Sequence, residues 1–377
     1  MRVATRVGIA LVLVLGLMGL APTAAEANPS GEVRPIIEKR SFPDPSVARF
    51  RQGLVAVSTG PLAPRAWLPG PGAAWRDIGS ALKKRPAWST TGKIWAADIV
   101  KAKGRWLLYY SITVKGLHRQ GRCIGVAVAP TPLQPFVNKS KHPLVCPRKA
   151  KAPRARDLAS AEFPRKGVID PSAFVSATGK RYLLYKTQGK PSTIRMVRLT
   201  GSGLRKMPGK KSREILRVPQ TIENPVLLQR RHRFFLFTSE GDYTHCGYHT
   251  SWRSAGSLGR LSKVRRHRLL SGVQGEVCGP GGADIVDLAT GPVVFYHGWT
   301  CYSRDHSCPQ SFRVSRHSKM RPKRSTYAAP LRWAGRKPRA GTAFTFSGPP
   351  EESPEEPDPP GLPLPLVLRQ SPAVRLF

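Results

Sequence analysis

Short apolar strands recur along the chain in pairs. Each pair opens with a carboxylate and an apolar strand. A polar turn follows, and then a strand of aromatic and β-branched residues such as RWLLYYS, RYLLYKT or RFFLFTS. The five copies are DPSVARFRQGLVAVSTG from Asp44, ADIVKAKGRWLLYYSIT with its acid at Asp98, DPSAFVSATGKRYLLYKTQ from Asp170, ENPVLLQRRHRFFLFTSEG from Glu223 and ADIVDLATGPVVFYHGW with its acid at Asp284. Long helical periodicity is hard to find anywhere, so the pattern indicates an all-β protein.

The spacing of the five acids is that of a propeller blade. Successive acids are 54, 72, 53 and 61 residues apart (98−44, 170−98, 223−170, 284−223), which suits four strands plus loops. We therefore predict a five-bladed β-propeller in which the acids occupy equivalent positions. Asp44, Asp170 and Glu223 would then meet at one mouth of the central channel. The alternative, a β-sandwich followed by a second β domain, would not explain why the carboxylate returns in each unit.

The two ends of the chain differ from this repeat. Arginines at positions 2 and 6, an apolar run from Val7 to Leu20 and the small-x-small signal Ala25-Glu26-Ala27 predict a signal peptide at residues 1–27. The alternative is an uncleaved membrane anchor, but the run is shorter than the roughly 20 residues that a span requires. We expect a secreted, extracellular protein with no membrane span after cleavage. Residues 28–345 form the predicted propeller, and the Pro- and Glu-rich residues 346–377 a disordered tail.

Six cysteines, an even number in an exported chain, predict disulfides rather than a metal cluster. About 15 pairings of six cysteines exist. Pairing of neighbours in sequence is the simplest of them, and we take it as the hypothesis. The predicted bridges are Cys123–Cys146, Cys246–Cys278 and Cys301–Cys308.

The chain is strongly basic, with 62 Lys and Arg against 22 Asp and Glu and a net charge of +40. Such a charge would attract nucleic acid, anionic cell-wall polymer or acidic polysaccharide. The basic residues are spread along the chain without the signature of a nucleic-acid-binding fold. We interpret them as solvated loops and blade edges, and we do not expect nucleic acid as a partner.

The repeated motifs resemble those of the family 43 glycoside hydrolases, five-bladed propellers that act on arabinose- and xylose-containing plant polysaccharides. The resemblance covers roughly residues 40 to 335. The matching segments are PDPS at 43–46, IWAADIV at 94–100, IGVAVAPTPLQPF at 124–136, VIDPSAF at 168–174, IENPVLL at 222–228, CGPGGADIV at 278–286 and FYHGW at 295–299. The resemblance implies that Asp44 is the general base, Glu223 the general acid, and Asp170 a third carboxylate that orients the acid.

Three carboxylates around a channel suit the chemistry of glycoside hydrolysis with inversion. It requires a protonated carboxyl at the leaving oxygen and an ionised carboxylate that activates water, about 6.5 to 9.5 Å apart. Opposite blades can hold such a gap. A third negative charge beside the acid disfavours its ionisation.

Three further positions are considered beside the three carboxylates, and two of them have alternative interpretations. The resemblance implies that Trp95 forms an apolar wall for the sugar in the pocket. The alternative is a core tryptophan between blades. Asp98 is expected to be structural and to cap backbone amides. His297 resembles a last-blade histidine that lies below the pocket, binds substrate or helps to hold a central calcium ion, but it could be an ordinary core residue.

The sequence also departs from the family pattern. The usual GPGH is GPGG here, with Gly282 in place of the histidine, and the usual WAPD is WAAD at 95–98. No cofactor is expected to be required, and a structural calcium ion is the one metal that the resemblance suggests.

The predicted function is that of a secreted inverting glycoside hydrolase, monomeric, that cleaves O-glycosidic bonds in arabinose- or xylose-containing polysaccharide. The alternative is a catalytically inactive propeller that binds carbohydrate or anionic cell-wall polymer. A binding module has no reason to keep all three carboxylates, which favours the enzyme.

Overall fold

The computed structural model describes residues 33–37, 40–70, 73–153, 166–271, 277–301, 308–309 and 311–343. The predicted signal peptide and the predicted tail lie outside these residues. The described chain forms nineteen strands in five antiparallel sheets, each built from consecutive strands. A short 3-10 helix at Leu258–Lys263 and another at Ser318–Met320 accompany them. The predicted all-β, five-bladed propeller is confirmed.

Each blade is one sheet, and its first strand is the innermost. Blades 1, 3, 4 and 5 have four strands, and blade 2 has three. The strands, in blade order, are β1 Ser46–Phe50, β2 Gly53–Val57, β3 Pro64–Leu68 and β4 Arg76–Ser80; β5 Trp95–Ala102, β6 Arg105–Thr113 and β7 Arg122–Ala129; β8 Val168–Val175, β9 Arg181–Thr187, β10 Ser192–Arg198 and β11 Arg213–Val218; β12 Ile222–Arg230, β13 Arg233–Glu240, β14 His249–Ala255 and β15 His267–Leu270; β16 Cys278–Leu288, β17 Gly291–Thr300, β18 Lys323–Ala334 and β19 Lys337–Ala340.

The core consists of apolar layers between adjacent blades, which explains the continuously apolar second strands. In β6, Leu107 and Tyr109 pack with blade 3, whereas Leu108 and Tyr110 pack with blade 1. A strand that is buried on both faces loses the usual alternation of apolar and polar residues. The sequence pattern RWLLYYS is therefore the consequence of a blade lying between two others.

Hydrogen bonds and packing close the ring between blades 5 and 1. Val286 and Phe295 of blade 5 pack with Leu54 of blade 1 in one layer. The N–H of Ile36 donates to the Thr326 carbonyl at 2.8 Å, and the N–H of Phe42 to the Arg324 carbonyl at 2.7 Å. The segment before β1 is thus attached to β18.

A β-bulge recurs near the start of the inner strands and corrects the predicted alignment of the acids. The ladder shifts register between Trp95 and Asp98, Ile169 and Ser172, Glu223 and Val226, and Gly281 and Asp284. In these four blades the residue after the first ladder position has positive φ, and Asp44, two residues before β1, has the same backbone conformation in blade 1. These equivalent residues are Asp44, Ala96, Asp170, Asn224 and Gly282, with φ of 51°, 38°, 55°, 45° and 61°.

The prediction that all five acids are equivalent is therefore wrong. Only Asp44 and Asp170 share the bulge position. Glu223 lies one residue before it, and Asp98 and Asp284 lie two residues after it. Because these three acids stand at different offsets from the shared backbone position, a match of acid to acid along the sequence misaligns three blades.

The two later acids join neighbouring blades. Asp98 accepts a hydrogen bond from the backbone N–H of Ala173 in blade 3 at 2.8 Å, and Asp284 from that of Val47 in blade 1 at 2.8 Å. The structural role predicted for Asp98 is confirmed.

The three predicted disulfides are present: Cys123–Cys146, Cys246–Cys278 and Cys301–Cys308. Cys123 lies on β7, and its bridge holds the segment around Val145, whose carbonyl accepts a hydrogen bond from Ile124. Among the described residues, no helix is long and apolar enough to cross a membrane.

Candidate active site

A cavity of about 650 Å³ opens at the mouth where the inner strands begin. Asp44, Asp170 and Glu223 all line it, together with Trp95 and Arg324. The ring of blades brings these carboxylates together although up to 179 residues separate them (223−44). Four of the five predicted site residues therefore meet in one cavity, and the fifth, His297, lies beneath it.

Asp44 is surrounded by groups that favour its ionised form. Its Oδ2 accepts a hydrogen bond from Thr59 Oγ1 at 2.7 Å, and its Oδ1 lies 3.8 Å from Arg324 Nη1. Burial acts to raise the pKa of Asp44, but the charge of Arg324 and the hydrogen bond from Thr59 act against it, and the pKa is lowered. Asp44 is a carboxylate at neutral pH.

Asp170 has the opposite environment. Burial and the nearby negative charge of Glu223 raise the pKa of Asp170 to about 7, although Lys186 opposes the shift. Its Oδ2 accepts a hydrogen bond from the backbone N–H of Asn224 at 3.1 Å. The protonated form of Asp170 therefore persists to near-neutral pH.

Glu223 is held by hydrogen bonds at both oxygens. Lys186 Nζ donates to Oε1 at 2.5 Å, and the Tyr248 hydroxyl donates to Oε2 at 3.1 Å. Lys186 is a buried residue of β9, and burial raises the pKa of Tyr248 well above its ordinary value, so that this hydroxyl stays protonated. The two donors fix the direction of the carboxyl group toward the cavity.

Trp95 is half-buried and forms part of the cavity wall. The guanidinium of Arg122 lies 3.2 Å from the centroid of its ring, on one face. Arg122 is itself held by hydrogen bonds from Nη1 to the carbonyl and the side chain of Gln120. This arrangement fixes the indole plane and fits the interpretation of Trp95 as an apolar wall better than that of a core residue.

His297 is fully buried and contacts Asp44 instead of the cavity. The backbone N–H of Asp44 donates to His297 Nδ1 at 3.0 Å. Burial, only partly opposed by Asp44, lowers the pKa of His297 to about 3, so the ring is neutral. With Nδ1 accepting, the proton of the neutral ring lies on Nε2.

Only one ring nitrogen of His297 could serve a metal ion. Nδ1 already accepts a hydrogen bond, whereas Nε2 is buried without a hydrogen-bond partner among the described residues. Within the described ranges, no group of three or more His, Cys, Asp or Glu could hold a metal ion. The calcium ion therefore stays a prediction.

The change from GPGH to GPGG has a steric explanation. A Cβ at Gly282 would lie 2.4 Å from His297 Nδ1, and Gly282 has φ of +61°. With His297 in its present position, a side chain at position 282 would have no space. Gly282 is the bulge residue of blade 5, so the imidazole of His297 occupies the volume that a bulge side chain fills elsewhere.

Sequence reasoning missed Thr59, Lys186, Tyr248 and Arg324. One signal was present for Lys186, because it interrupts the strand RYLLYKT, which is otherwise apolar at its centre. A buried lysine within a strand that is packed on both faces needs a charged partner. No comparable signal marks the other three, which come from a turn and from blades 4 and 5.

The family model "Glycosyl hydrolases family 43" matches residues 34–336. The chain belongs to this family. No curated protein matches the chain significantly in a sequence search.

Solved structures show the same fold. A thermostable family-43 glycoside hydrolase has 16% identity and a TM-score of 0.64, with 85% of this chain and 99% of that chain covered. The α-L-arabinanase of Cellvibrio cellulosa has 18% identity and a TM-score of 0.61, covering 80% and 96%. An endo-1,4-β-xylanase of Bacteroides thetaiotaomicron has 17% identity and a TM-score of 0.60, covering 83% and 98%. The prediction of a family 43 glycosidase is confirmed.

Proposed function

We propose that the protein is a secreted, inverting glycoside hydrolase that acts on arabinose- or xylose-containing polysaccharide. The observation that carries the proposal is the set of three carboxylates in one 650 Å³ cavity, of which Asp44 is biased toward ionisation and Asp170 toward protonation. The lowered pKa of Asp44 supports its role as the base, and the raised pKa of Asp170, which keeps a proton beside Glu223, supports the acid half of the reaction. The arabinanase and xylanase names of the structural neighbours support the choice of sugar.

In the proposed reaction, Asp44 accepts a proton from the attacking water. The water oxygen bonds to the anomeric carbon as the bond to the leaving oxygen breaks, and Glu223 gives its proton to that oxygen. Asp170 keeps a proton within the cluster up to about pH 7. Lys186 and Tyr248 hold Glu223 in its orientation, and Trp95 forms a wall for the sugar ring.

The test uses Glu223→Gln with two classes of substrate. A natural glycoside has a poor leaving group, so its hydrolysis should fall by about 10³-fold, within the range for general acids. An aryl arabinofuranoside or xyloside needs less protonation and should be partly spared. Glu214→Gln, on the outer strand β11, makes the same chemical change outside the cavity and should leave both rates unaltered.

Two results would contradict the proposal. Equal losses on both substrates in Glu223→Gln would mean that Glu223 is not the acid. Retention of configuration at the anomeric carbon, followed by NMR of the first product, would reject inversion. Secretion is tested separately, by sequencing the N-terminus of the exported protein, which should begin at Asn28.

A further inference from the structure

The topology creates a second shared surface, on the side of the propeller opposite the catalytic mouth. Every inner strand begins near the carboxylate cavity and runs away from it, so the turns after the inner strands all reach the opposite side. These turns are RFRQG at 49–53, KAKGR at 101–105, ATGKR at 177–181, QRRHR at 229–233 and DLATG at 287–291. We call the surface that they form the basic face.

The basic face has ten arginines and lysines and one acid. Blades 1 and 3 contribute two cations each, and blades 2 and 4 three each. They are Arg49, Arg51, Lys101, Lys103, Arg105, Lys180, Arg181, Arg230, Arg231 and Arg233, with Asp287 as the acid. Seven of the ten are exposed, the exceptions being Arg181, Arg230 and Arg233. So many like charges in repeated turns repel one another unless an anionic partner covers them.

The acids of the protein lie elsewhere. The described residues contain ten Asp and Glu, of which five belong to the inner strands and a sixth lies two residues before β1. These six are Asp44, Asp98, Asp170, Glu223, Asp284 and Asp287. Asp44, Asp170 and Glu223 line the catalytic cavity, and Asp98 and Asp284 join neighbouring blades within the ring. Of the six, Asp287 alone belongs to the turns of the basic face.

Several cations of the basic face are held in place. The guanidinium of Arg51 lies 5.3 Å from the centroid of the Phe50 ring, and that of Arg230 lies 4.6 Å from the centroid of a Trp333 ring. At the centre of the face is a shallow cavity of about 290 Å³ with an apolar floor, and Arg49, Lys101 and Arg181 are among the residues that line it. A cation that already packs on an aromatic ring loses less side-chain entropy on binding an anion.

We propose that the basic face binds acidic polysaccharide through its carboxylate groups. A flexible sugar acid polymer can place successive carboxylates on cations of successive blades. Single-stranded nucleic acid fits less well, because it is bound on exposed aromatic rings. In the described part of the chain, the exposed large hydrophobic residues are Val137 and Tyr243, and neither belongs to these turns.

The surface is independent of the proposed catalysis. The binding residues are at the far ends of the inner strands, so a bound polymer leaves the carboxylate cavity open. The protein would thus be retained on an acidic polymer while its cavity faces other chains. Loss of binding and loss of hydrolysis are separate outcomes.

The test compares two variants of equal net charge. The face variant carries Arg51→Gln, Lys103→Gln, Lys180→Gln and Arg231→Gln, one exposed cation from each of four blades. The control variant carries Lys83→Gln, Lys84→Gln, Lys139→Gln and Lys141→Gln, which are exposed residues outside the turns. Affinity for polygalacturonate is measured over a range of salt concentrations, with neutral arabinan and duplex DNA as comparison ligands.

We expect the face variant to bind polygalacturonate about tenfold more weakly than the wild type, since each exposed ion pair contributes a few tenths of a kcal/mol. The control should stay within about threefold, and the face variant should show a weaker dependence on salt. Equal loss in both variants would reduce the effect to net charge and overturn the proposal. So would absent binding to polygalacturonate, or tighter binding to DNA that is lost in the face variant. Unchanged melting temperatures ensure that both variants are folded.

Discussion

Blades 1 and 3 contain the same tripeptide, Asp-Pro-Ser, with the same left-handed backbone at the aspartate, and yet the two aspartates have opposite electrostatic properties. Asp44 and Asp170 have φ of 51° and 55°, and both line the cavity. The pKa of Asp44 is lowered, whereas that of Asp170 is raised to about 7. The repeat therefore determines where each carboxylate lies but not its protonation state.

The difference comes from other blades. Asp44 receives Arg324 from blade 5 and Thr59 from the turn after β2, whereas Asp170 faces Glu223 from blade 4. A nearby cation favours a carboxylate, and a nearby anion disfavours it. Neutral His297 contributes a further contact to Asp44 that Asp170 lacks. One local motif thus supplies two chemical roles.

The largest expected effect is the difference in activity between the asparagine variants of the two aspartates. Asp44→Asn should lower kcat/KM by about 10³-fold on both natural and aryl glycosides, because water activation is needed whatever group leaves. Asp170→Asn should cost about tenfold to 100-fold, because Asp170 acts on the reacting atoms through Glu223. Steady-state kinetics on both substrates would check this order. A larger loss in Asp170→Asn would reverse the assignment of the base.

The same two substitutions should change stability in opposite directions. The pKa of Asp170 is raised in the folded state, from an ordinary value of 3.8, so ionisation of Asp170 destabilises the fold as pH rises from about 4 to about 7. Asp170→Asn removes this penalty and should stabilise the protein at pH 8 by about 2 to 4 kcal/mol relative to the wild type. The gain should vanish near pH 4.

Asp44→Asn should instead destabilise the protein. The lowered pKa of Asp44 means that its ionised form stabilises the fold above about pH 4, and that this contribution is lost as the pH falls further. We expect a loss of about 1.5 to 3 kcal/mol at pH 8 from its charged hydrogen bond and ion pair. Melting temperatures from pH 4 to 8 would measure both variants. Parallel curves for the two would contradict the difference in environment.

A third variant should raise the pKa of Asp44 and so bring it closer to that of Asp170. Arg324→Met removes the cation 3.8 Å from Asp44 and should raise the pKa of Asp44, since that charge lowers it. A base must be ionised to act, so the acid limb of the kcat/KM profile should move to higher pH. We expect about tenfold loss at pH 4 and little loss at pH 7. An unshifted acid limb would mean that Asp44 does not determine it.

The smallest expected effect concerns one hydrogen bond. Thr59→Val removes the hydroxyl that donates to Asp44 Oδ2 at 2.7 Å and accepts from the backbone N–H of Ala96. It should destabilise the protein by about 1 to 2 kcal/mol and shift the acid limb in the same direction as Arg324→Met, but less. Thr59→Ser keeps the hydroxyl and is the matched control. A shift in the serine variant would point to packing instead of the hydrogen bond.

The sequence by itself determined the number of blades and the meeting of the three cavity carboxylates, whereas it left the pairing of the six cysteines as a hypothesis that the structure confirms. A strand such as RYLLYKT is predicted from the hydrophobic pattern of a few neighbouring residues. Five copies of the strand pair at the spacing of a blade then predict the ring. The same reasoning aligned Asp98 and Asp284 with Asp44 wrongly, because the equivalent backbone position is occupied by Ala96 and Gly282 in those blades and has no acid to mark it.

The tertiary structure alone decided which groups meet. Lys186 pairs with Glu223 across 37 residues, and Arg324 lies beside Asp44 across 280 residues (324−44). Electrostatic energy depends on distance and burial, and both are set by the packing of blade 3 against blade 4 and of blade 5 against blade 1 instead of by any local segment. For the same reason the ten cations, scattered along the sequence, become one surface only when the inner strands run in the same direction around a common axis.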